Sequence, residues 1–177
     1  MQRRTLLLGL AALPLAACAT TPAPPVNAGP PITLVSAFEG RATGSGHFRV
    51  WLTGDERRFT ARLNGRVTGA EGARTLTVVE DFLYDDGQKD RLTWVFREQG
   101  PGRWSGKRED TVGEAVAIEE DGRIRLSYTA DFRSPSGVNR LGFEDIIYAR
   151  GDGTIVNDAV VTRAGIAVAS VRFVIRR

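Results

Sequence analysis

Apolar and polar residues alternate with a period of two through most of the chain after residue 32. The clearest example is residues 123–133, where apolar side chains alternate with charged or hydroxyl-bearing ones, and residues 58–63 and 91–97 repeat the pattern. Such alternation places one face of a strand against a core and the other in water, which is typical of antiparallel sheets. No segment has convincing helical periodicity. The pattern therefore predicts an all-β protein.

Turn signals separate the predicted strands at short, regular intervals. They are Asn64-Gly65, Asp85-Asp86-Gly87, Gly100-Pro101-Gly102, Asp121-Gly122, Pro135-Ser136-Gly137 and Gly151-Asp152-Gly153. Roughly nine or ten strands in sequence indicate an antiparallel meander. We predict that this meander closes into a lipocalin-like up-and-down barrel, because full closure leaves no exposed strand edge. A β-sandwich has the same alternation and is the alternative.

The first 17 residues resemble a bacterial secretory signal peptide. Arg3 and Arg4 precede an apolar run that is shorter than the roughly 20 residues of a membrane-spanning helix. The sequence Leu15–Cys18 resembles the lipobox of bacterial lipoproteins, in which the cysteine becomes the acylated first residue. Cys18 is the only cysteine, so no disulfide competes for it. We predict a signal peptide over residues 1–17 and a lipid anchor, including palmitate, on Cys18; the export route, general or twin-arginine, stays open.

The residues after Cys18 predict where the protein is held. Ala19 is not aspartate, and by the sorting rule of bacterial lipoproteins this favours the outer membrane of a Gram-negative bacterium, facing the periplasm. Residues 18–31 are rich in proline and alanine, which predicts an extended tether. Residues 32–177 then form a single barrel domain of ordinary size.

Loss of Arg3 and Arg4 with the signal peptide leaves a nearly neutral chain without a concentrated basic patch, so no nucleic-acid partner is expected.

The most distinctive stretch of the chain runs from Leu76 to Phe96 and is centred on Glu80–Gly87. Further motifs lie before and after it in a characteristic order: Phe38-Glu39-Gly40, Gly102–Gly106, Asp110–Ala115, Phe143-Glu144-Asp145 with Tyr148, Asn157-Asp158-Ala159 and Gly165. Together they resemble a family of proteobacterial lipoproteins known only as domain of unknown function thirty-eight thirty-three. At position 144 this sequence has glutamate, where the family pattern leads us to expect a second aspartate next to Asp145. The resemblance implies a lipoprotein and brings no established activity or catalytic residues.

Two carboxylates occur at positions where apolar side chains are expected. Glu80 falls on the same strand face as Phe82 and Tyr84, and Asp145 is likewise in phase with apolar neighbours. If these faces point inward, each carboxylate must be paired, hydrogen-bonded or protonated. Arg91, on the partner arm of the hairpin, is the candidate counter-ion. The alternatives are a structural ion pair or a register shift that places Glu80 outside. The candidate ligand-binding residues are Glu80, Phe82, Tyr84, Arg91, Trp94 and Asp145.

Common catalytic and metal sites find little support in the sequence. His47 is the only histidine, and the only thiol is that of Cys18, which argues against a histidine-based triad or a multi-histidine metal site. Asp85 and Asp86 lack the ligand spacing of an EF-hand loop, and a turn explains them. We therefore predict no metal and no cofactor.

Two functions from different classes fit these features. The first is a binding module that holds a small apolar or amphipathic, lipid-like ligand inside the barrel while Cys18 anchors it to the membrane. The alternative is an envelope interaction or assembly protein with a solid core and no ligand. An enzyme that uses carboxylates for acid–base chemistry is a third reading, with candidates Glu80, Asp81, Asp110 and Asp145. The sequence shows no pair of these held across a cleft, so we expect no enzymatic activity.

Overall fold

Ten antiparallel strands close into a barrel in the computed structural model, which describes residue 22 and residues 29–134 and 137–177. A short helix, α1 (Leu34–Phe38), precedes the strands. The strands are β1 (Gly40–Val50), β2 (Glu56–Thr68), β3 (Thr75–Tyr84), β4 (Lys89–Gly100), β5 (Arg103–Lys107), β6 (Ala115–Glu120), β7 (Arg123–Ser134), β8 (Gly137–Ala149), β9 (Ile155–Arg163) and β10 (Ile166–Arg176). Each strand pairs with its sequence neighbours, and β1 pairs with β10. The predicted all-β barrel is confirmed, and the continuous ladder excludes the β-sandwich.

The barrel closes between β1 and β10, where the register runs from Thr43 opposite Arg176 to Val50 opposite Ala169. Glycine is needed at this seam for close packing. A Cβ atom at Gly46 would lie 2.5 Å from the Phe59 ring. The absence of a side chain at Gly46 therefore lets that ring lie against the β1 backbone inside the barrel.

Four of the predicted turns join strands, at residues 85–87, 100–102, 121–122 and 151–153. Pro135 and Ser136 of a fifth lie outside the described residues. The turn predicted at Asn64-Gly65 is wrong, because both residues lie within β2 and the reversal follows at residues 69–74. Gly65 instead marks a close approach between backbones, since a Cβ atom there would overlap the carbonyl oxygen of Phe38 at the end of α1.

Replacing Gly65 with alanine should lower the free energy of unfolding by about 1–3 kcal/mol, because the Phe38 backbone would have to move to make room for the methyl group. Gly151→Ala is the matched control, since no atom lies within 4 Å of a Cβ at that position. Urea denaturation of the two variants measures the difference. Equal midpoints would show that α1 can shift on β2 without cost.

Helix α1 closes one end of the barrel. Its N-cap residue Thr33 and Ser36 form a capping box, in which each side chain accepts a hydrogen bond from the other's backbone N–H. The Glu119 carboxylate on β6 accepts hydrogen bonds from the Leu34 N–H at 2.7 Å and from the Trp104 indole N–H at 3.0 Å. These bonds fix the helix to the wall. The sequence did not predict α1, because five residues are too few to show helical periodicity.

Apolar side chains fill both ends of the barrel. The larger cluster lies beneath α1 and includes Leu34, Leu76 and Trp104, all essentially inaccessible to solvent. The smaller one lies towards the opposite end, where the rings of Phe48 and Phe132 stack at a centroid distance of 5.5 Å. Polar groups are concentrated between the two clusters. Within the part of the chain that the structure describes, no helix is long and apolar enough to cross a membrane.

Candidate functional site

A cavity of about 100 Å³ lies inside the barrel. Aromatic rings form much of its wall, and among them are Phe59, Phe82, Trp94, Tyr128, Phe143 and Phe173. Four polar side chains reach the same space: Glu80 from β3, Arg108 from the segment after β5, Asp145 from β8 and Asn157 from β9. The cavity therefore combines an aromatic wall with a small set of buried polar groups, as ligand sites generally do.

Four of the six predicted ligand-binding residues line this cavity: Glu80, Phe82, Trp94 and Asp145. Tyr84 is in contact with this wall without lining the cavity, since its ring centroid is 6.1 Å from that of Phe82. The guanidinium of Arg57 covers the Tyr84 ring at 3.7 Å. Binding of a ligand by these residues stays a prediction.

Arg91, the sixth candidate, is not part of the cavity. The register of β3 and β4 places it opposite Asp81, and its Nε atom lies 2.6 Å from the Asp81 Oδ1 atom on the outer surface. The Arg91 side chain is 70% exposed. The predicted pairing with Glu80 is wrong, because Asp81 and Glu80 are successive residues of β3 and face opposite sides of the sheet. Glu80 itself points inward, as its 6% exposure shows, so the register shift considered for it does not occur.

Arg108 takes the place that the sequence assigned to Arg91. Its Nε and Nη2 atoms donate to the two carboxylate oxygens of Asp110 at 2.7 and 2.9 Å. Its Nη1 atom lies 3.8 Å from Oε2 of Glu80. The guanidinium also lies 4.7 Å from the ring centroid of Trp94 and 5.3 Å from that of Tyr128. Arg108 is thus a buried cation held by a carboxylate pair and two aromatic faces.

Arg108 lies in a connection where no strand alternation identifies it. Its spacing is the one indication in the sequence: every second residue from Trp104 through Gly106 faces inward, and Arg108 is the next position in that series. Asn157 was likewise singled out only by its motif with Asp158. Its inward position follows from the register that places it opposite Ile147.

The Glu80 carboxyl is buried, and neighbouring groups offset only part of the cost of burying its charge. Burial raises its pKa to about 7, and the attraction of Arg108 offsets only part of that effect. The Oε2 atom of Glu80 has no hydrogen-bond partner among the described residues. At neutral pH this carboxyl is therefore divided between its protonated and ionised forms.

Asp145 is in a similar state on the opposite side of the cavity. Its Oδ2 atom accepts a hydrogen bond from Nδ2 of Asn157 at 2.8 Å. Its Oδ1 atom and the Oδ1 atom of Asn157 are without hydrogen-bond partners in the described chain. Burial raises the Asp145 pKa to about 7, against the opposing effects of Asn157 and Arg108. Burial also raises the pKa of Tyr128 well above its ordinary value, so its hydroxyl stays neutral.

Of the four carboxylates considered for acid–base chemistry, two belong to the cavity. Asp81 faces outward towards Arg91, and Asp110 is engaged by Arg108. Glu80 and Asp145 are left with oxygen atoms free to accept a hydrogen bond from a bound molecule. Within the described ranges, no three or more His, Cys, Asp and Glu side chains converge to hold a metal ion.

Comparisons with known proteins identify a matching family and a solved structure with a similar fold. The model of the family described as "Protein of unknown function (DUF3833)" matches residues 12–177. The crystal structure of Rv2717c from M. tuberculosis is similar to this one, with a TM-score of 0.53 and 16% sequence identity over 81% of this chain and 94% of that chain. This second likeness shows the fold alone. No curated protein matches the chain.

Proposed function

The chain belongs to the DUF3833 family of proteins of unknown function, and from that premise we propose that it is a lipid-anchored envelope protein that binds a small apolar or amphipathic ligand inside its barrel. The cavity carries this proposal. It has an aromatic wall, and three of its lining residues, Glu80, Asp145 and Asn157, carry buried oxygen atoms without hydrogen-bond partners among the described residues. Buried polar atoms are ordinarily paired, so a molecule that supplies the missing bonds would be stabilised there.

The size of the cavity limits the ligand. Pockets for drug-sized molecules occupy roughly 300–1,000 Å³, whereas an engineered cavity of about 150 Å³ holds benzene. The cavity of about 100 Å³ therefore suits a molecule of a few heavy atoms, or one end of a longer lipid-like molecule whose remainder lies outside the barrel.

The anchor is part of the proposal. Residues 1–21 and 23–28 lie outside the described residues, so the signal peptide, acylated Cys18 and most of the tether stay predictions. The Gly29 N–H donates to the carbonyl oxygen of Ala149, so the chain enters the barrel at the end that α1 closes. A tether leaving from this point would hold the closed end towards the outer membrane and leave the opposite end facing the periplasm.

One observation favours the alternative of an interaction or assembly protein. Apolar clusters fill both ends of the barrel, and the remaining space is smaller than the usual range of ligand pockets. A protein of this kind would act through its outer surface, and the buried carboxylates would then serve the fold alone.

Native mass spectrometry distinguishes the two functions. The full chain carrying Cys18→Ser lacks the proposed acylation site and is purified in a non-ionic detergent that is removed from it in the mass spectrometer. We expect a reproducible excess mass that organic solvent removes. Ala159→Leu, which adds bulk to the cavity wall, should abolish the excess mass, whereas Ala73→Leu on an exposed loop should retain it. A clean apo mass that persists after incubation with envelope lipids would favour the interaction protein.

A further inference from the structure

Three residues that line the cavity, each on a different strand, carry a buried oxygen atom without a hydrogen-bond partner in the described chain. The atoms are Oε2 of Glu80, Oδ1 of Asp145 and Oδ1 of Asn157. All three accept hydrogen bonds when the acids are ionised. Glu80 and Asp145 are 6% and 3% exposed, so bulk water does not satisfy them. The group that complements this set is one with several donors and no acceptor of its own.

The charge of the cavity wall points to a cation. Of the described residues that line the cavity, Arg108 alone carries a positive charge. Its Nε and Nη2 atoms donate to Asp110, and its Nη1 atom lies 3.8 Å from the Glu80 carboxylate. The surrounding titratable groups add negative charge or none: Glu109 lies beside Arg108, Glu144 beside Asp145, and the Tyr128 hydroxyl is neutral. Ionised Glu80 and Asp145 would therefore leave the interior with unbalanced negative charge.

The aromatic wall also suits a cation. The Trp94 and Tyr128 rings meet edge to face at 5.1 Å, and Tyr128 stacks on Phe143 at 4.7 Å. The faces of Trp94 and Tyr128 already hold the guanidinium of Arg108, so the wall accommodates positive charge by cation–π attraction. A primary ammonium is compact and has three donors, one for each of the unpartnered oxygens.

We infer that the cavity binds a protonated primary amine on a short aliphatic stem, with the ammonium held by Glu80, Asp145 and Asn157 and the stem packed against the aromatic rings. This inference rests on the proposed ligand-binding function and specifies the ligand class. The same group occurs in free alkylamines and at the end of an ethanolamine phospholipid headgroup. The chemistry is shared, and the test separates the two sources.

The first arm of the test measures binding of butylamine to the full chain carrying Cys18→Ser by isothermal titration calorimetry. Butan-1-ol and butyrate are the neutral and anionic probes of similar size. We expect butylamine to bind at least about tenfold more tightly than either. Binding at pH 8 should exceed binding at pH 5.5 by at least about tenfold, because below pH 7 the amine must displace protons from the two carboxyls.

The second arm uses variants of nearly equal shape. Glu80→Gln and Asp145→Asn should each weaken butylamine binding about tenfold or more and reduce its pH dependence. Glu144→Gln is the matched control, because this residue neighbours Asp145 but faces outward and bonds to the Ser127 hydroxyl. Its affinity should fall much less than that of Asp145→Asn, because it loses only a charge on the outer face of β8 and no group that contacts the amine. Thermal melting monitors folding, and the pH profile of the unmutated cavity tests the inference even if a variant fails to fold.

The third arm separates the sources by competition against butylamine. Displacement by lysophosphatidylethanolamine but not by lysophosphatidylglycerol would identify the lipid headgroup, and displacement by free diamines alone would identify a soluble amine. Both results support the inference. Equal binding of butan-1-ol and butylamine, or unchanged affinity in Glu80→Gln and Asp145→Asn, overturns it and leaves the proposed ligand-binding function standing. Failure of every probe together with a clean apo mass overturns both.

Discussion

Replacing Arg108 with methionine should lower the free energy of unfolding by about 3–5 kcal/mol, the cost of removing one partner from a buried ion pair. Methionine retains much of the apolar stem that packs on Trp94 and Tyr128. The loss would therefore come from the carboxylates left behind, because Asp110 loses a bidentate partner and Glu80 loses the cation at 3.8 Å. Urea denaturation at pH 8, above the pKa of about 7 that Glu80 has in the parent chain, measures the effect.

Arg91→Met is the control for this substitution. Arg91 makes a similarly short ion pair with Asp81, but its side chain is 70% exposed, and exposed pairs contribute little to stability because water screens them. Neutralising the carboxyls in the triple variant Arg108→Met, Glu80→Gln, Asp110→Asn should recover much of the stability. If Arg108→Met lowers the free energy of unfolding no more than Arg91→Met does, water in the interior must stabilise the carboxylates in place of the Arg108 guanidinium.

The free energy of unfolding should fall as pH rises from about 4.5 to about 7 and level off above that. Glu80 and Asp145 have pKa values of about 7 in the folded protein, against ordinary values of 4.5 and 3.8. The folded state therefore binds protons more tightly than the unfolded state throughout this window, and removing them disfavours folding. These shifts correspond to about 3 kcal/mol for Glu80 and about 4 kcal/mol for Asp145.

Other carboxyls act in the opposite direction at lower pH. Hydrogen bonds from Arg74 lower the pKa of Glu98 to about 2, so its stabilising contribution is lost as pH falls through the acid range. Stability should consequently be greatest near pH 4.5. Urea denaturation across pH 4–9 tests the profile. The double variant Glu80→Gln, Asp145→Asn should flatten it above pH 4.5, whereas Glu144→Gln should not. An unchanged slope in the double variant would assign the pH dependence to other groups.

The barrel was predictable from sequence because its strands are long and present one face to the interior. In β7, residues 123–133 alternate without interruption, and the same phase argument put Glu80 and Asp145 on the strand faces that carry apolar side chains, which the structure shows to be the inner faces. Period and phase are local properties, so the sequence alone reveals them.

The partners of the buried carboxylates were not predictable in this way. Which arginine reaches Glu80 depends on the register of β3 against β4 and on the path of the connection after β5. The register turns Arg91 outward, and the connection brings Arg108 inward. Gly65 shows the same limit, because a glycine required by a distant helix has the same local sequence signal as one required by a turn.

The seam between β1 and β10 sets the order in which the barrel can form. Strand β1 is the first of the ten to be synthesised, and its partner β10 is the last. While the chain is being synthesised, β1 has only β2 to pair with, so one of its edges is open until β10 has been made. The ladder with the greatest sequence separation therefore completes last, and its loop-closure entropy slows folding.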